Sequence, residues 1–213
     1  MIVLGVTGSI GMGKSTVSNM FREMGIPVHD ADATVHKLLA AGGKGVAPVA
    51  AAFPAALVRD ENGRDMIDRA ALGKIVFGDP ALKKKLEDIL HPMVREDSAA
   101  FRDEMEKAGH KIIVFDIPLL FETGGEKRVD AVLCVSAAPE VQKQRVLARP
   151  GMTEERFAHV LSQQMPDAEK RARADYVVTT DNGFDDTRAQ LKAVLEKLQP
   201  PRPRVPPPAN GCH

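Results

Sequence analysis

The chain has no excess of either charge: Lys and Arg total 29, Asp and Glu total 29, and the formal net charge at pH 7 is zero. That balance gives no global attraction to a nucleic-acid backbone or an anionic membrane, so any anion site has to be local. Cysteine is scarce. Cys134 lies in an apolar run and Cys212 in a proline-rich stretch, a spacing that suits neither a disulfide framework nor a zinc site and points to a reducing compartment. No stretch approaches the roughly 18 uninterrupted apolar residues of a membrane span, and the final Gly-Cys-His is no prenylation box. The opening Met1-Ile-Val-Leu lacks a basic region and a cleavage signal and reads as a strand. There is no internal repeat. A soluble, cytoplasmic protein is expected, with no nucleic-acid, membrane or obligate protein partner indicated.

What is present is an α/β alternation. Short apolar runs suited to buried strands recur at Ile2–Val6, Lys111–Phe115, Ala131–Val135 and Tyr176–Val178, with a shorter one at Ile26–His29. Amphipathic segments separate them, so the expectation is a five-stranded parallel sheet with helices around it. The first helix spans Ser15–Met24 and stops at Gly25; the second opens near Asp32 and ends at Gly42-Gly43. Between Val46 and Gly109 no strand pattern is convincing, and Gly63, Gly78, Pro80 and Pro92 punctuate helical segments. Pro139 opens a helix to Arg149, Pro150-Gly151 breaks it, and Thr153 caps the next, which runs to about Gln164. The expected organisation is one domain over 1–198, with a core of about 1–45 and 110–198. Within it are a helical insertion of about 46–109 and a lid of about 139–173, and a proline-rich disordered tail occupies 199–213.

The strongest motif is Gly8-Ser-Ile-Gly-Met-Gly-Lys-Ser15, a full G-x-x-x-x-G-K-S after one predicted strand and opening one predicted helix. Its glycines let successive backbone N–H groups turn around an anion at the positive end of the helix. Gly8, Gly11, Met12, Gly13, Lys14, Ser15 and Thr16 are therefore the expected ATP-binding set. Lys14 serves the β- and γ-phosphates, Ser15 is the expected Mg²⁺ ligand, and Thr16 is placed for the α-phosphate. A guanine-reading N/T-K-x-D motif is missing from the later strand ends, which weakens a GTPase switch reading.

Asp30 and Asp32 follow the second strand, where α/β sheets put substrates beyond the carboxyl ends. Each suits two roles: helix cap, or acceptor of the proton from a hydroxyl that takes up phosphate. Asp116 ends another strand in a Walker-B-like position and suits Mg²⁺ held through water. Arg145 and Arg149, four apart on a predicted helix, fall on one face and can reach one anion.

Together, T-G-x-I-G-x-G-K-S-T at Thr7–Thr16, D-A-D at Asp30–Asp32, His91-Pro92 and Pro118-Leu-Leu-Phe-Glu122 resemble the dephospho-CoA kinase family. Gln144-Arg145, Arg149, Gln163-Gln164-Met165, Lys170, Ala174-Asp175-Tyr176 and Asn182-Gly183 continue the resemblance in order over roughly residues 1–198. The resemblance implies a P-loop NTPase core with an inserted helical acceptor subdomain and a helical lid. It implies a kinase that uses Mg²⁺ and ATP to phosphorylate dephospho-CoA, with Asp32 as base and Lys14 and Arg145 as further catalytic residues. Arg149 would join Arg145 in closing over ATP, and His91, Pro118 and Leu119 would meet the acceptor beside Asp32. Glu122 has no assigned role. Adenylate- or shikimate-type kinases share loop, lid and fold, and a non-catalytic ATP-binding switch protein is the alternative from another class.

Overall fold

The computed structural model describes residues 1–198, so the proline-rich tail lies outside the described residues. In chain order the elements are β1 (Ile2–Thr7), α1 (Lys14–Glu23), β2 (Val28–Asp30), α2 (Ala31–Leu39), α3 (Val46–Ala52), β3 (Leu57–Arg59), β4 (Asp65–Ile67) and α4 (Arg69–Val76). There follow α5 (Pro80–Lys107), β5 (Ile112–Asp116), β6 (Ala131–Ser136), α6 (Pro139–Leu147), α7 (Glu154–Ser162), α8 (Asp167–Arg173), β7 (Tyr176–Thr179) and α9 (Phe184–Lys197). The described residues form two compact units, one of residues 1–28 with 110–198, the other of His29–Gly109. The sequence reading leaves residues 29–45 with the core, whereas α2 belongs to this second unit.

The main sheet is five-stranded and parallel, in the order β2-β5-β1-β6-β7. β1 pairs β5 on one side, with Val6 opposite Asp116, and β6 on the other, with Thr7 opposite Cys134. Strand order reverses direction around β1, and its carboxyl end is therefore the switch point at which open α/β sheets bind ligands. Both β1 and β6 are buried along their whole length, which is why they read as unbroken apolar runs. Leu4, Val6, Val17, Phe21, Leu133, Val135, Val178 and Leu191 form the core of this unit. Each such side chain contributes about 1.5–3 kcal/mol by leaving water. Cys134 is part of this interior; burial, and then the Asp167 carboxylate, push its thiol up to about 12.

α1 ends where Gly25 adopts φ 75°, with Gly25 N–H donating to Arg22 O and Ile26 N–H donating to Phe21 O. Pro139 and Thr153 do what their types suggest: the first opens α6, and the second accepts the Arg156 N–H at 3.2 Å to cap α7. α6, however, stops at Leu147, because Arg149 precedes Pro150 and the residue before a proline is disfavoured in helical geometry.

The second unit has its own core of Leu39, Val46, Val49, Phe53, Ala56, Ile67, Leu72 and Leu90. Asp68 and Asp79 cap α4 and α5, each accepting two backbone N–H groups. Two expectations fail here. β3 and β4 form an antiparallel hairpin in a stretch read as strand-free; its turn is held by Asp60, which accepts the Asn62 and Arg64 N–H groups at 2.9 Å. Pro92 does not break a helix but lies inside the 28-residue α5. Its surface is exposed, so water can serve the carbonyl left without a donor. His91, beside Pro92, is half-buried, and α5 continues through it.

Candidate active site

The carboxyl end of β1 runs into residues 8–13 and then α1, whose first turn completes the 8–15 phosphate-loop motif. No side chain caps α1; its N-cap is Gly13 itself, at φ 90°, so the first-turn N–H groups face outward without a side-chain acceptor. Gly13 cannot be exchanged freely. A Cβ there would stand 2.9 Å from Thr180 Oγ1, and one on Gly8 would stand 2.6 Å from the Val135 carbonyl oxygen. Gly13→Ala is expected to lower stability by about 1–3 kcal/mol and weaken ATP binding at the same time. Thermal melting with and without ATP checks this, since a loop that tolerated the methyl would leave both unchanged.

The loop is tied down by residues distant in sequence. Gln142 Nε2 donates to the Ile10 carbonyl at 2.7 Å, and Ile10 N–H donates to Gln164 Oε1 at 3.0 Å. Thr180 Oγ1 donates to the Met12 carbonyl at 2.8 Å. Arg145 Nη1 in turn donates to Thr180 Oγ1 at 2.7 Å and Nη2 to the Thr180 carbonyl at 2.6 Å. Sequence reasoning did not single out Gln142 or Thr180 and gave Gln164 no role. Gln164 carried the only signal, its place in the family pattern.

Lys14, at the first position of α1, forms an ion pair with Asp116 at the end of β5. Asp116 is 2% exposed, and its second oxygen accepts the Ser18 hydroxyl at 2.6 Å. Ser18 was also missed, although it lies one helical turn after Lys14 and so on the same face. The Ser15 hydroxyl is exposed and Thr16 half-buried.

Of the remaining expected residues, Pro118 and Leu119 follow β5, half-buried; the Pro118 carbonyl accepts Thr7 Oγ1 at 3.0 Å and Lys170 Nζ at 3.3 Å. Arg145 and Arg149 do not share a helical face: Arg145 is in α6 and bound to Thr180, while Arg149 is exposed beyond the helix end. In the second unit, the capping question at the start of α2 resolves in favour of Asp30, whose Oδ1 accepts the Ala33 N–H at 2.9 Å. Asp32 is in the first turn and exposed, with the cap role taken by its neighbour. His91 lies in α5 of the same unit.

A second polar cluster of that unit lies beside α2. His29 Nε2 and Thr34 Oγ1 both meet Asp97 Oδ2, at 2.9 and 3.1 Å. Burial pushes the Asp97 carboxyl up, but the hydrogen bonds from His29 and Thr34 outweigh it and hold it below its ordinary value.

The family model described as dephospho-CoA kinase matches residues 2–186. A dephospho-CoA kinase of Rhodopseudomonas palustris is 53% identical over 196 residues, covering 92% of this chain and 95% of its own. Among solved structures, TT1252 from Thermus thermophilus superposes with a TM-score of 0.77 at 38% identity, covering 93% of this chain and 98% of its own. The dephospho-CoA kinase from Campylobacter jejuni does so with a TM-score of 0.66 at 26% identity, covering 92% and 96%.

Proposed function

The chain belongs to the dephospho-CoA kinase family, and on that premise we propose both its reaction and the residues that perform it. The protein is a kinase that transfers the γ-phosphate of ATP to the ribose 3′-hydroxyl of dephospho-CoA, releasing CoA and ADP in the last step of coenzyme A biosynthesis. The observation that supports the donor half most directly is the uncapped start of α1 behind Gly13 with Lys14 beside it, an arrangement suited to a polyphosphate.

Gly8, Gly11, Met12, Gly13, Lys14, Ser15 and Thr16 hold ATP in this reading. Asp32 accepts the proton of the 3′-hydroxyl as its oxygen bonds to the γ-phosphorus and the bond to ADP breaks. Its support is its position just after β2, in the exposed first turn of α2. Arg145 exchanges its Thr180 contacts for the donor when ATP arrives, Arg149 closes with it, and His91, Pro118 and Leu119 meet the acceptor. Exclusion of water by such closure limits loss of ATP to hydrolysis.

Mg²⁺ takes oxygen ligands, keeps several waters and is held by one or two protein oxygens together with substrate phosphates. The exposed Ser15 hydroxyl, next to the Lys14–Asp116 pair, fits that chemistry. Ser15 would hold the ion directly and Asp116 through water, and the ion would supply neutralisation of the transferring phosphoryl charge. Among the described residues no helix is long and apolar enough to cross a membrane, and a cytoplasmic location is part of the proposal.

The test is to mix purified protein and Mg²⁺-ATP with dephospho-CoA, AMP, shikimate or no acceptor, then follow ADP release and identify the product by mass. ADP and CoA in equal amounts, with dephospho-CoA alone, is the expected result. Phosphorylation of another acceptor would move the protein to a different metabolite-kinase activity, and ATP binding without any transfer would favour a switch protein.

A further inference from the structure

Glu122 and Lys170 belong to the sequence pattern but have no part in the proposed phosphoryl transfer. Lys170 is fully buried, with a side chain 0% exposed, and its ammonium lies 2.9 Å from Glu122 Oε1. Burying an ammonium costs several kcal/mol, and pairing rarely repays more than that cost, so such a group adds little to stability by itself. Its contacts lead elsewhere. The ammonium also donates to the Pro118 carbonyl at 3.3 Å, and that carbonyl accepts Thr7 Oγ1 at 3.0 Å, from the residue just before the phosphate loop. Glu122 Oε1 accepts the Met165 N–H at 2.8 Å, and the side chain of the preceding Gln164 accepts the Ile10 N–H inside the loop at 3.0 Å.

These contacts close a ring. It starts at Thr7, at the base of the phosphate loop, passes through Pro118, Lys170, Glu122 and Met165, and returns to the loop at Ile10 through Gln164. Burial pushes the Glu122 carboxyl up, but the hydrogen bonds from Lys170 and the Met165 backbone outweigh it and keep it below the ordinary glutamate range, a charged centre for the ring.

We propose that Lys170 is a positioning residue for phosphoryl transfer, holding the donor loop and the Pro118–Leu119 ledge in mutual register through its bonds to Glu122 and the Pro118 carbonyl. The proposal rests on the kinase reading above, in which that ledge meets the acceptor. Lys170 touches neither substrate; it acts through Pro118 and, by way of Glu122 and α8, through the turn that carries Gln164. Its loss loosens alignment more than donor affinity.

The test compares wild type, Lys170→Met, the double variant Glu122→Leu/Lys170→Met, and Glu122→Gln. The double variant removes both charges, so no unpaired buried charge remains and its melting temperature is expected to approach that of wild type. Its kcat with dephospho-CoA is expected to remain about 30-fold down, within the ~10²-fold that a 1 Å misplacement costs, while KM for ATP changes by less than about 3-fold and more ATP is lost to water per CoA formed. A double variant with wild-type melting, kcat and coupling would overturn the proposal, because the pair would then be only structural. If the double variant does not fold, Glu122→Gln decides. Its amide keeps an oxygen for Met165 but holds the ammonium less strongly, so a several-fold fall in kcat with poorer coupling is expected, and unchanged kcat and coupling would overturn the proposal. A wild type inert toward dephospho-CoA would overturn the kinase reading and this proposal with it, whereas an active wild type matched by both variants overturns the positioning role alone.

Discussion

Replacing Asp32 by asparagine is expected to lower kcat with dephospho-CoA by about 10²–10⁴-fold while ATP affinity stays within about 2-fold. The amide is nearly the same size as the carboxylate but cannot take up the proton of the attacking hydroxyl. Two features bear on the structural cost of the substitution. Asp30, not Asp32, caps α2 through the Ala33 N–H, so the helix start keeps its side-chain acceptor. Asp32 is exposed in the first turn, where losing a negative charge costs about 0.3–1 kcal/mol against the helix dipole. Rapid-quench turnover and calorimetric ATP binding separate the two quantities, and wild-type turnover in the variant would remove Asp32 as the base. Asp30→Asn serves as the contrast: asparagine caps helices as well as aspartate does, so near-normal kcat and melting are expected there.

Lys14→Met is expected to reduce kcat/KM for ATP by about 10²–10³-fold, the scale on which one preorganised charge or donor acts at a developing anion. It also carries a structural cost that a free surface lysine would not. Lys14 is paired with Asp116, whose side chain is 3% exposed, so removing the ammonium leaves that carboxylate buried beside the Ser18 hydroxyl without its cation. Breaking a pair of this kind costs about 3–5 kcal/mol. Adding Asp116→Asn to the Lys14→Met background is expected to recover much of the melting temperature and none of the activity. Recovery of both would mean that Lys14 stabilises the fold without serving the phosphates.

Where the chain carries information locally, the sequence read well. β1 and β6 are buried on both faces, so their apolar runs are continuous and their positions unmistakable. The loop 8–15 was legible because its glycines answer local backbone demands, as the positive φ of Gly11 and Gly13 makes plain. The hairpin was missed because β3 and β4 are only three residues each and β3 is exposed along its length, leaving no alternation to detect. The Asn62-Gly63 pair was its one local sign. Pro92 misled because a proline lowers helix propensity wherever it falls, while α5 is held by Leu82, Leu86, Ile89 and Leu90 packed on the second core. The ties of Gln142, Gln164 and Thr180 to the loop span 132, 154 and 168 positions and have no local signature at all.

The acceptor assigned to this protein ends in a thiol, and thiol substrates bring disulfides with them. An enzyme that handles such molecules is exposed to exchange at any cysteine able to ionise near its site. Cys134 lies in the strand beside β1, opposite Thr7 at the base of the phosphate loop, yet its thiol is fully buried and pushed up to about 12. Burial thus disfavours the reactive thiolate there and keeps the sulfur out of contact with solvent. The interior that makes β6 a sheet strand thus also withholds Cys134, one strand away from the base of the phosphate loop, from thiol–disulfide exchange.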